Sequence, residues 1–161
     1  MDQLTKVRQA HIYAMDLSAR TLGHLLAPVS QEQATTLRDG PNGWTTVEVV
    51  CHLRDFDGFF RGRAELMLAE ETPLLPAYDH EAIAIERNYN AEQLTDAYAA
   101  LLASRAKTKA LFVSLTPEQW ERGGIHPEYG PFALTDSVLQ VGLHDLGHIE
   151  QILKILTGRT A

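Results

Sequence analysis

Apolar residues recur at three- and four-residue intervals along most of this chain. That spacing lays one stripe of a helix against a core. The first segment runs from about Asp2 to Leu26, with Leu4, Val7, His11, Met15, Ser18, Leu22 and Leu25 on the stripe and Pro28 as its stop. A second helix starts at Thr45: threonine is a good N-cap, and Glu48 three residues on completes a capping box. Trp44, just before the cap, is placed to fold back as a hydrophobic staple. The inner face of this helix passes through Val49, His52, Phe56, Phe59 or Phe60, and Met67, to an end near Glu70. A third helix spans about Ala91 to Leu115, through Leu94, Tyr98, Leu101, Leu102, Leu111 and Leu115. The fourth spans about Leu134 to Leu156 and stops at Gly158, a typical C-terminal glycine.

The connections read differently. Residues 31–43 are polar, and Asp39-Gly-Pro-Asn-Gly43 is dense turn chemistry. Between residues 71 and 90 the pattern fades, and Pro73 and Pro76 forbid a continuous helix. A short helical turn fits around His80 to Arg87, and the whole segment is long enough to cross the length of a bundle. Thr116-Pro-Glu-Gln119 is a fresh helix start of about one turn, with Pro117 at the first helical position. Gly123, Gly124, Pro127, Gly130 and Pro131 then predict an irregular loop. No strand-like alternation exceeds a few residues, and there is no repeat. The expectation is an all-α fold: one domain over 1–161, a four-helix bundle with a long crossover between helices 2 and 3.

Composition narrows the function classes. A net charge of −7 repels phosphate backbones, and Arg54, Arg61 and Arg63 are interleaved with Asp55, Asp57 and Glu65, so no nucleic-acid partner is expected. No stretch approaches the roughly 20 apolar residues of a membrane span. The N-terminus is charged from Asp2 onward and lacks a signal-peptide core, which predicts a cytoplasmic protein. A single cysteine, Cys51, excludes an intrachain disulfide and fits a reducing compartment.

The candidate chemistry lies in histidines. His144 and His148 are four apart on the stripe of the last helix, about 6 Å along its axis, with Val141, Gln151, Ile152 and Ile155. His52 shares a stripe with Val49, Phe56 and Phe59. Three neutral imidazoles from two helices can hold a metal and leave a coordination position open. A lone inward histidine such as His52 is ordinarily a core residue with a hydrogen-bonded ring; an i, i+4 pair on an apolar face is more specific. The pattern is not H-E-x-x-H, since 145 is Asp and 147 is Gly. Glu48 is explained by its cap, and Cys51 points about 100° away from His52. Asp145 is expected outward or behind the ligands. Gln151 is either an edge amide or a partner for a ligand's far nitrogen. His11 reads as core or pocket wall, and His24, His80 and His126 as solvent-exposed.

On these residues the chain resembles the DinB-like (YfiT/DinB) family. The strongest parts are Trp44-Thr-Thr-Val-Glu-Val-Val-Cys-His52 and His144-Asp-Leu-Gly-His-Ile-Glu-Gln-Ile152, with His126-Pro-Glu-Tyr-Gly130 before the last helix. The resemblance implies an up-down-down-up bundle and a divalent metal, zinc or nickel, on His52, His144 and His148. It also implies a homodimer. Members of the family include transferases and isomerases that use a low-molecular-weight thiol, and metal-dependent hydrolases. A thiol-dependent S-transferase is the first expectation, a hydrolase the second, and a non-enzymatic stress-response metal-binding protein the third. Gly147 departs from the family, where many members carry another histidine.

Overall fold

The computed structural model describes residues 2–158. Four long helices carry it: α1 (Gln3–Leu26), α3 (Thr46–Ala69), α5 (Leu94–Ser114) and α7 (Leu134–Thr157). Short helices α2 (Gln31–Thr36), α4 (His80–Glu86) and α6 (Pro117–Trp120) lie in the connections, with strands β1 (Gly123–His126) and β2 (Gly130–Ala133). The caps explain the boundaries. Asp2 accepts from the Thr5 N–H at 2.9 Å, and Thr45 and Glu48 form the expected reciprocal box. Gly158 closes α7 with φ 65°, where a side chain would be strained.

The directions follow from which residues meet. Along α1 and α7, Arg8 reaches Thr135 and Ser18 reaches Asp145, so these helices run parallel. Along α3 and α5, Arg54 meets Glu92 just before α5, and Arg61 meets Ser104; this pair is parallel too. Tyr98 bonds the Ala19 carbonyl while Arg105 bonds that of Met15, which makes α1 and α5 antiparallel. The result is the up-down-down-up bundle, and the connection from α3 to α5 is its long crossover. Its first half is extended and tied to β1: the Leu75 N–H donates to the Ile125 carbonyl, and the Ile125 N–H donates to the Pro73 carbonyl. At Gly124 a Cβ would sit 2.7 Å from the Pro73 carbonyl, so this approach requires glycine.

Three expectations need correction. The region after Gly123 is not an irregular loop but a hairpin, with Gly123 to His126 paired antiparallel to Ala133 to Gly130. Its strands are four residues each, too short for alternation to register. The polar segment after α1 contains α2, begun by a Ser30/Gln33 capping box. His126 is buried rather than exposed. Its ring lies between Arg63 Nη1 at 3.0 Å and the Glu128 N–H at 3.2 Å, and Arg63 also binds the Pro76 carbonyl. Burial first, then the adjacent guanidinium, holds this imidazole below its usual pKa.

The centre of the bundle is polar. Arg105 on α5 is buried and donates to Asp57 Oδ1 on α3 at 2.6 Å. It also forks onto both oxygens of Asp145 on α7, at 2.7 and 3.0 Å, and bonds the Met15 carbonyl on α1. Ser18 donates a further bond to Asp145, and Ser104 and Thr108 donate to Asp57. Asp145 therefore points into the core and serves Arg105, where the sequence left it either outward or behind the ligands. Above and below lie two apolar clusters, one around Leu22, Val49, Leu101 and Ile152, the other around Met15, Phe60, Phe112 and Val138. Burial alone would lower the Arg105 pKa, but the Asp145 and Asp57 carboxylates outweigh it and the net shift is upward. Arg105→Ala leaves two buried carboxylates without their cation, so it is expected to cost about 3–5 kcal/mol in urea unfolding; an unchanged midpoint would show that the network is dispensable.

Candidate metal centre

The three histidines singled out by spacing converge. His52 on α3 and His144 and His148 on α7 each offer a ring nitrogen, and these atoms lie within 4.8 Å of one another. The ring centroids form a triangle of 4.9, 4.6 and 4.6 Å, and His52 Nε2 is 2.9 Å from His144 Nε2. The antiparallel passage of α3 and α7 brings them together. Aromatic rings wall the group. Phe56 packs on His52 at 4.1 Å and His144 at 5.7 Å, Phe60 meets His144 edge-on at 5.1 Å, and Trp44 meets His52 at 5.0 Å.

The donor set fits a divalent metal of the borderline class. Nitrogens bound at 2.0–2.1 Å around a tetrahedral ion stand roughly 3.3 Å apart, which side-chain rotations reach from the spacing seen here. Three clustered imidazoles, tilted or edge-on to one another, are a poor hydrogen-bonding arrangement, because one N···N contact satisfies at most one lone pair. His148 Nδ1 donates to Gln151 Oε1 at 2.7 Å, which leaves Nε2 with a free lone pair directed at the group. Gln151 is in turn held by Asp39. His52 Nδ1 is buried with no partner among the described residues, so this ring is held by the packing of Phe56 and Trp44 rather than by a bond to its far nitrogen.

The remaining candidates separate cleanly. Glu48 is occupied by its cap and by Arg38, and Cys51 is buried elsewhere, its sulfur 3.9 Å from the Tyr89 carbonyl. Burial pushes the Cys51 thiol up to about 12, which makes it unreactive. His11 is half-buried on α1 and joins no cluster, and Asp145 serves Arg105. His80 is exposed as expected, yet its ring is 6.1 Å from that of His52 and forms part of the rim. Sequence reasoning missed that role, since α4 is placed only by the crossover.

Two clefts reach the triad. One, of about 550 Å³, is walled by Tyr129, Phe132, Leu139, Leu143 and His144. The other, of about 230 Å³, is polar and bounded by Asp39, Trp44, His80, Glu81, His148 and Gln151.

Electrostatics keeps the triad neutral. Burial, then the neighbouring imidazoles, lowers His52 to about 2 and His144 to about 3; burial also lowers His148, against the pull of Gln151. Unfolded histidines titrate near pKa ~6.5, so below that pH the unfolded chain binds protons that the folded site refuses. The metal-free protein is therefore expected to keep its stability above about pH 6.5 and to lose on the order of a few kcal/mol between pH 7 and pH 5. Urea unfolding across that range checks this. His144→Leu should flatten the acid loss, and an equally steep loss in that variant would place the cause elsewhere.

Comparison with known proteins agrees with this geometry. The DinB superfamily model matches residues 14–152. A Bacillus subtilis (strain 168) protein, provisionally named as the metal-dependent hydrolase YfiT, is 30% identical over 122 residues, covering 73% of this chain and 67% of the relative. A second provisionally named metal-dependent hydrolase, from Oceanobacillus iheyensis, is 29% identical over 139 residues, 84% of this chain and 79% of its own. The solved structure of Bacillus subtilis YfiT, described as having an unusual four-helix bundle topology, superposes with a TM-score of 0.86 at 24% identity, over 99% of this chain and 91% of that one. A mycothiol-dependent maleylpyruvate isomerase superposes at 0.76 with 10% identity, over 94% of this chain and 63% of its own, and shares the fold. The bundle, the three histidines and these matches lead to one conclusion: the chain belongs to the DinB superfamily.

Proposed function

We propose that His52, His144 and His148 hold one divalent ion, zinc or nickel, and that the protein is a metal-dependent transferase using a low-molecular-weight thiol. The observation that carries the transfer reading is the pair of separate clefts, one walled by His144 and the other by His148. A reaction between two organic molecules needs room on two sides of the metal; hydrolysis needs room for one molecule and a water. The thiol-dependent isomerase with the same fold supports the same reading. The names of the relatives favour hydrolysis, which is the second reading.

A divalent ion so held supplies Lewis acidity to the substrate or to its nucleophile. The chain's own groups do the rest. Gln151 fixes the tautomer of His148, Phe56, Phe60 and Trp44 exclude water around the ligand nitrogens, and neutral imidazoles leave the ion's charge intact. Among the described residues the cluster holds no carboxylate or thiolate, so a held ion would keep room for an exogenous ligand.

Cobalt substitution tests the centre and the reaction together. About one cobalt is expected per chain, lost in His144→Ala and His148→Ala; unchanged metal content in both variants would sink the ligand assignment. Added glutathione, bacillithiol or mycothiol should give a sulfur-to-cobalt charge-transfer band. No band with any of the three, together with turnover of ester or amide substrates, would establish the hydrolase instead. Metal binding with no turnover of either kind would leave the non-enzymatic stress-response reading.

A homodimer forms part of this proposal. Leu146 and Leu153 on α7 and Tyr13 and Leu17 on α1 are exposed large apolar side chains on two neighbouring parallel helices. A second copy covers such a face with its own equivalent. Light scattering should return twice the chain mass, and Leu146→Glu should shift it toward the monomer; a monomeric wild type would reject the assignment.

A further inference from the structure

The larger cleft differs from its neighbour in chemistry. The β1–β2 hairpin contributes Tyr129 and Phe132, and α7 contributes Leu139, Gln140, Leu143 and His144. Leu143 is 57% exposed and Tyr129 62%, so their apolar surfaces face an opening rather than a core. His144 forms part of the same wall, which makes the cleft continuous with the histidine triad. Among the described residues that line it, none is Lys or Arg, and Asp136 adds a negative charge at its side. An anionic group would meet repulsion there and find no cation; an uncharged apolar group would gain from leaving water.

Gln140 adds a second, independent observation. It stands one helical turn before His144, and its Oε1 is buried without a partner among the described residues. An enclosed carboxamide oxygen without a donor is destabilising. Gln140 lines the cleft, and a turn of its side chain would bring to the open side an oxygen that makes no bond where it lies. A ligand N–H beside the triad would give that oxygen its missing donor.

We propose that this cleft is a substrate subsite for an uncharged acyl or aryl group, and that Gln140 receives an N–H carried next to that group. The polar cleft at His148 is then left for the second reactant. This rests on the metal-centre reading above, and the test separates the two.

Hydroxamates are suitable probes, because their common head chelates a metal while the tail is varied. Binding to the cobalt-loaded protein is measured by calorimetry for acetohydroxamate, benzohydroxamate and 4-carboxybenzohydroxamate. Benzohydroxamate should bind about tenfold tighter than acetohydroxamate, from burial of the ring. The carboxylated ring should lose that gain. Leu143→Asp, and independently Tyr129→Ala from the hairpin side, should bring the benzo-to-aceto ratio toward one. Methylating the benzohydroxamate nitrogen removes its N–H; this should weaken binding to wild type several-fold and make no difference in Gln140→Leu. An equal affinity for the aceto and benzo compounds, or a ratio unmoved in both cleft variants, overturns the subsite. An N-methyl penalty that persists in Gln140→Leu overturns the role of Gln140. Failure of every hydroxamate to bind overturns the metal centre, and the subsite with it.

Discussion

One buried cation sets the geometry of this bundle. Arg105 sits in the middle of the core, and each of the other three long helices supplies an acceptor to it: Met15 from α1, Asp57 from α3 and Asp145 from α7. Apolar packing alone tolerates small slides and rotations of one helix on another, because it is not directional. A planar guanidinium with fixed donor directions is not tolerant in that way. The forked pair with Asp145 fixes both the height and the rotation of α7, and the Nε bond to Asp57 does the same for α3. Such networks are weak evidence of net stability, since well-packed apolar residues can replace them. Their value here is register.

That register is what the histidines need. Asp57 is five residues after His52, and Asp145 follows His144 directly. The clamp therefore lies about 7.5 Å along α3 from one ligand candidate and beside another on α7. A rotation of α7 by one residue's angle, about 100°, would swing His144 and His148 out of the core and bring Asp145 off Arg105 at the same time. The packing of Phe56 and Phe60 on His144 acts in the same sense. Structural and chemical constraints on α7 are thus one constraint read at two neighbouring residues.

Much of this was legible in the sequence, and the exceptions have definite causes. The four long helices and the convergence of His52, His144 and His148 follow from apolar spacing, because each histidine lies on a largely apolar stripe, and the Thr45 and Gly158 caps follow from local residue chemistry. The clamp was hidden because the stripe of α5 is broken by it. The buried positions there are Leu94, Ala97, Leu101, Arg105, Thr108 and Phe112, a regular helical series with a charge and a hydroxyl in the middle. Read for apolar residues alone, the series shifts face after Leu101. Asp145 was obscured similarly: a lone carboxylate beside a ligand reads as outward or as a ligand's partner until a distant cation is known. His126 lies among glycines and prolines, where local pattern gives no burial signal, and its partner Arg63 comes from α3, far away in sequence. The hairpin was missed for a related reason. Its edge is satisfied by the crossover through Leu75 and Ile125, a contact between segments fifty residues apart.

The arrangement of charge around the triad bears on its chemistry. Ligand histidines commonly pass their far N–H to a carboxylate, which makes the ring more electron-donating and damps the metal's charge. Here the nearest buried carboxylate, Asp145, is consumed by Arg105, and His148 leans instead on the neutral amide of Gln151, with Asp39 one bond further out. His52 has no partner on its far nitrogen among the described residues. Three neutral rings, kept neutral by burial, would leave nearly the full charge of a divalent ion directed at the open side. Such a centre is suited to binding an anionic nucleophile and to polarising a weakly basic oxygen, the two demands shared by thiol transfer and hydrolysis. Under the proposed function, the walls of the two clefts, rather than the triad, would decide between these reactions.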